Sequence, residues 1–90
     1  MSGLPGHELI AEGLADLRAG RKSASALLVL IGADRLRRAG VEVPALAIDN
    51  PEHDLYALLS RTDSNSAHSR YNALIRQLVS FERAVECAAS

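Results

Sequence analysis

Ninety residues suit one domain, and a chain of this length buries only somewhat over ~60% of its unfolded surface, so a single core has a thin margin. Apolar residues make up 48% of the sequence, as in a globular rather than a disordered protein, and the 3% of aromatics, Tyr56, Tyr71 and Phe81, leave the core to Leu, Ile, Val and Ala. The net charge of -1 argues against a dedicated nucleic-acid binder, and the single cysteine, Cys87, excludes a disulfide or a cysteine-based zinc site within the chain.

Lys22 is the only lysine among the basic residues, and arginine with abundant alanine points to a GC-rich, bacterial coding sequence. The longest apolar run, Ala26 to Ile31, is far too short to span a bilayer, so no membrane contact is expected. No charged stretch followed by a long apolar one stands at the start of the sequence, and the expected location is the cytoplasm.

Four segments read as helices. The first runs from about Pro5 to Ala19, with Pro5 in the opening turn and Gly20 just past the end. Ile10, Leu14 and Leu17 form its apolar stripe, with Leu9 beside it, while Glu8, Glu12 and Asp16 form an acidic ridge. The second begins near Ser23 or Ser25, either of which suits a cap, and continues through Ala26 to Ile31 with no polar face, the pattern of a central buried helix. Leu28, Leu30 and Ile31 are therefore expected at the centre of the core.

Gly32 interrupts that helix. A short basic helix from Arg35 to Ala39, capped by Asp34 and ended by Gly40, is expected to follow. Val41 to Asp49 reads as an extended connector, because Pro44 disfavours helix at Val43. Asn50-Pro51 is a strong start for a helix reaching about Arg61, which buries Leu55, Leu58 and Leu59. Leu27 to Gly40 followed by Val41 to Val43 also resembles strand-helix-strand, but a parallel crossover needs more residues than lie between the two runs.

The last helix, about Ser66 to Ala88, carries the clearest pattern. Ala67, Tyr71, Leu74, Leu78, Phe81, Val85 and Ala88 alternate spacings of four and three, a heptad seam, and Ile75 widens it. The whole chain is thus expected to be all-α, a small bundle of four or five helices with a long C-terminal one. No later segment of this sequence is there to cover Phe81, Val85 and Ala88. The seam residues Tyr71, Leu74, Leu78, Phe81, Glu82 and Val85 are accordingly expected to be shared with a second molecule. Glu82 falls inside the apolar face, where a carboxylate is costly unless paired, and an arginine such as Arg76 or Arg83 of a neighbouring chain is its expected partner.

No constellation of residues supports catalysis. His7, Glu8 and Glu12 do not share a face and form no HExxH pattern, so no metal is expected. His53 and Asp54 are adjacent and diverge on a helix. Arg61 and His68 flank a polar turn and read as an exposed arginine and a first-turn histidine. Cys87 lies outside the seam, with no histidine or helix N-terminus to activate it.

Arg35, Arg37 and Arg38 form the one basic cluster. They are a candidate anion or phosphate site, or alternatively the surface that answers the acidic ridge of the first helix. The expectation is a small interaction or adaptor protein, without cofactor, that binds a protein partner or itself. Nucleic-acid or anion binding through the arginines is the competing class.

Overall fold

Gly6 decides where the first helix starts. Its backbone is left-handed, with φ at 74°, so the turn containing Pro5 stays outside and α1 is His7–Arg18, shorter at both ends than the sequence implies. The computed structural model describes residues 3–89. Four further helices follow: α2 Ala24–Ile31, α3 Ala33–Arg38, α4 Pro51–Thr62 and α5 Ala67–Ala89. No strand occurs among the described residues, so the stretch from Leu27 to Val43 does not form a strand-helix-strand unit.

A tight joint connects α1 to α2. Asp16, expected on an outward acidic ridge, is 9% exposed and takes two hydrogen bonds from the Arg21 guanidinium, at 3.0 and 2.9 Å. The Ser23 hydroxyl donates to the other carboxylate oxygen of Asp16 and accepts from the Ala26 amide at 3.1 Å, which makes Ser23 the cap of α2. These bonds from Ser23 and Arg21 hold the Asp16 carboxyl below its ordinary 3.8.

Helices α1 and α2 lie so close at Gly13 that a Cβ there would run into the Ser25 carbonyl oxygen and stand 2.6 Å from a Val29 methyl. The side chain is absent because the neighbouring backbone occupies its place.

Helix α2 is flanked by α1 and α4, with α5 across it. Ala26, Leu27, Leu28 and Val29 are buried, whereas Leu30 and Ile31 are only half-buried. The expected core centre therefore holds at Leu28 but shifts toward the start of the helix, because its last two residues sit at the joint with α3. Gly32 ends α2 and begins α3 at once: its amide donates to Leu28 O at 3.4 Å and its carbonyl accepts from Leu36 N at 2.9 Å. Asp34 is consequently in the first turn of α3 rather than its cap.

Residues 41–49 form the expected connector. Val43 is buried, Val41, Leu46 and Ile48 pack half-buried on the core, and the Arg37 guanidinium donates to the Val43 carbonyl at 3.0 Å. Asn50 then caps α4, its side-chain oxygen accepting from the His53 amide at 3.1 Å, with Pro51 in the first turn. Leu55 and Leu59 are buried, and Leu58 is half-buried.

Helix α5 has 23 residues, roughly 35 Å at ~1.5 Å per residue, in a molecule whose longest extent is 40 Å. Its seam is covered from within the chain. Helix α4 packs on α5, with the Tyr56 and Tyr71 rings 5.8 Å apart, edge to face. Farther along, the segment before α1 lies on α5 so closely that a Cβ on Gly6 would be 2.8 Å from Gln77 O and 3.4 Å from the Phe81 Cβ. At the joint between α2 and α3, Gly32 meets Leu78 in the same way. Leu78, Phe81 and Val85 are buried as a result, although Ala88 remains exposed. Residues early in the chain supply this cover.

Candidate functional site

Glu82 sits one helical turn after Leu78 and is 4% exposed. Space for its carboxylate exists because residue 32 is glycine; a Cβ there would lie 2.6 Å from the Glu82 Oε2. Its partner is Arg35 of the same chain, whose Nη1 donates to Glu82 Oε1 at 3.3 Å. The rest of the same guanidinium grips Glu86, with Nε to Oε2 at 2.7 Å and Nη2 to Oε1 at 2.8 Å. One arginine thus ties the six-residue α3 to two carboxylates spaced one turn apart on α5.

Burial pushes the Glu82 carboxyl above its ordinary 4.5, against the pull of Arg35, with Glu86 adding a small push upward. Glu86 moves the other way, held below 4.5 mainly by its hydrogen bonds from Arg35. The expected arginine from a neighbouring chain is not needed, because Arg35 already takes that place. Glu86 was not singled out from the sequence. Its signal was its spacing of four from Glu82.

Within the chain, the arginines after Gly32 do not pair with the acidic ridge of α1. Arg35 reaches Glu82 and Glu86, Arg37 reaches Val43 O and Asp34, and Asp16 is satisfied by Arg21 and Ser23. Arg37 and Arg38 line one open cleft with Asp34, while Arg35 turns to α5. Arg38 donates to Asp34 O of its own helix at 3.4 Å.

A cavity of about 530 Å³ lies beside Arg37, lined also by Arg18 and residues 40–44. The Arg37 guanidinium is already taken by the Val43 carbonyl and lies near Asp34, and Glu42 shares the lining with Arg18. The positive charge available to an anion there is small.

Among the described residues no three His, Cys, Asp or Glu side chains gather to hold a metal, and no helix is long and apolar enough to cross a membrane. His53 and Asp54 are both exposed. His68 bonds Asn72 on its own helix at 3.2 Å, while Arg61 lines a cleft beside Lys22. Cys87 is exposed.

What remains of the expected contact surface is the N-terminal half of the α5 seam. Tyr71 and Leu74 are half-buried there, whereas Leu78, Phe81, Glu82 and Val85 are inside the chain. Tyr56 of α4, at 40% exposure, is the one large apolar side chain left open among the described residues, and it lies against Tyr71. Burial, and next Glu52 on α4, raise the Tyr71 phenol above its ordinary 10.0.

No known protein family matches the chain, and no curated protein or solved structure matches it either. The Tyr56–Tyr71 pair, with Leu74 and Ile75 half-buried near it on α5, offers apolar contact area with polar hydroxyls at its edge. Tyrosines of this kind suit protein contact, because they bring large area at a small cost in side-chain freedom.

Proposed function

We propose that the chain is a small helical interaction module that associates with a second copy of itself through the α4–α5 face around Tyr56 and Tyr71. The observation that carries this reading is the exposed Tyr56 ring set edge-on against half-buried Tyr71. Tyr56 is part of a patch and not a lone exposed group, because Tyr71 lies against it and Leu74 and Ile75 follow one turn on along α5.

The charges around the pair suit self-association. Glu52 lies on the α4 side, close enough to Tyr71 to act on its phenol, and Arg70 and Arg76 are exposed on α5. A twofold contact brings the same patch of both copies together, so a surface with both signs can satisfy itself. The Phe81 half of the seam is closed within each copy and takes no part.

Sedimentation of the wild type beside Tyr56→Glu tests the proposal. The wild type is expected to dimerise at micromolar concentration and the variant to remain a folded monomer, since residue 56 lies outside the core. A wild type that stays monomeric at high micromolar concentration, or a dimer indifferent to the substitution, contradicts it.

A further inference from the structure

The opposite flank of α4 carries a different chemistry. Asp54, Leu58 and Arg61 follow one another at spacings of four and three, so they share the side of the helix away from Tyr56. Lys22, in the turn before α2, and Leu27 on α2 complete a cleft of about 310 Å³ with them. That volume lies at the small end of the range for ligand pockets. Half-buried Leu58, with the edge of Leu27, which is 3% exposed, supplies the apolar part of the lining.

The charged groups of this cleft are uncommitted. Arg21 is taken by Asp16 and Arg35 by Glu82 and Glu86, but among the described residues Lys22, Asp54 and Arg61 have no hydrogen-bond or ion-pair partner for their side chains. Two cations and one anion leave the cleft net positive, unlike the chain as a whole. The Arg61 fork matches the two oxygens of a carboxylate, and Lys22 adds a mobile point charge. Asp54 stands two turns from Arg61, roughly 10 Å along the helix, and places a negative charge at the far end.

We infer that this cleft binds a carboxylate bearing a short apolar tail. The carboxylate lies between Lys22 and Arg61, and the tail lies on Leu27 and Leu58. Asp54 then repels a second acid group, which makes the site selective for monocarboxylates. A free branched-chain acid and the C-terminal leucine of a peptide present the same chemistry. This site is independent of the Tyr56–Tyr71 face and stands whether or not the chain dimerises.

Nuclear magnetic resonance of the isotope-labelled full chain tests it, following the amides of Lys22, Leu27, Leu58 and Arg61. The probes are 4-methylpentanoate, the tripeptide glycyl-glycyl-leucine, the uncharged 4-methylpentanamide and the dicarboxylate 3-methylglutarate. Saturable shifts at these four amides are expected with the first or second probe, and the tighter of the two identifies the source. The amide and the dicarboxylate should bind at least about tenfold more weakly, as should the preferred probe to Arg61→Gln. Asp54→Asn should narrow the gap between mono- and dicarboxylate. Absence of saturable shifts with both carboxylates, equal binding of the amide, or an Arg61→Gln variant that binds as the wild type does would overturn the inference.

Discussion

At Gly13 two effects of opposite sign meet. Alanine is the better helix former by about 1 kcal/mol, but its methyl would strike the Ser25 carbonyl and the Val29 side chain. Backbone cannot step aside as the end of a flexible side chain can, so overpacking wins. Gly13→Ala is expected to cost about 2 kcal/mol net, read from urea unfolding. Arg35 presents the converse case, a group whose removal leaves a charge behind. Arg35→Met is expected to lower stability, by less than the loss of one partner from a fully buried pair, because the Arg35 side chain is 38% exposed. Adding Glu82→Gln to that variant should recover part of the loss.

The pH dependence separates the two carboxylates that Arg35 holds. Glu82 is raised above 4.5, so between that value and its folded one the native chain holds a proton that the unfolded chain lacks. Glu82 alone therefore makes stability rise as pH falls through that window. Glu86 and Asp16 are lowered, so their contributions are present above 4.5 and 3.8 and are lost as pH falls through their folded values. Glu82→Gln should gain most in thermal midpoint relative to wild type near neutral pH, with the difference shrinking toward pH 4.5. A difference independent of pH would show that the Glu82 charge is not what the substitution relieves. The sequence marked Glu82 as misplaced polarity, because a carboxylate within an apolar stripe is visible from periodicity alone. It did not reveal Arg35, since a contact 47 residues away depends on how helices are arranged and not on spacing within one of them.

Helix starts and stops were legible wherever a local group sets them. Asn50 and Pro51 specify the start of α4 through a side-chain bond and a fixed backbone angle, both within four residues. Asn50→Ala is expected to cost about 1 kcal/mol, with the loss appearing first in the hydrogen exchange of the opening turn of α4. The start of α1 was misread because Pro5 suits a first helical turn, while the left-handed Gly6 after it does not. Asp16 was misread for a related reason: periodicity put it on a polar ridge, yet the turn back into α2 folds Arg21 and Ser23 over it. The apolar run of α2 announced burial, but its eight residues end at a joint that leaves Leu30 and Ile31 partly open.

For the whole molecule, the all-α bundle with a long last helix was legible from periodicities of three and four, whereas the use of the α5 seam was not. By length, one partner helix covers about half to three-quarters of the seam, which leaves open whether other short segments or a second molecule cover the rest. Cover comes from three places, α4, the Gly6 segment and the Gly32 joint, and two of these are not helices. With Phe81 and Val85 buried inside the chain, the surface proposed for self-association is the one around Tyr56, Tyr71 and Leu74. A dilution series followed by nuclear magnetic resonance of side-chain groups tests this division most directly. On dilution from the millimolar to the low micromolar range, the Tyr56 and Tyr71 rings and the Leu74 methyls are expected to shift together, while Leu78, Phe81 and Val85 stay fixed. Shifts concentrated at Phe81 and Val85, with the tyrosines unmoved, would contradict it and return the interface to the C-terminal half of α5.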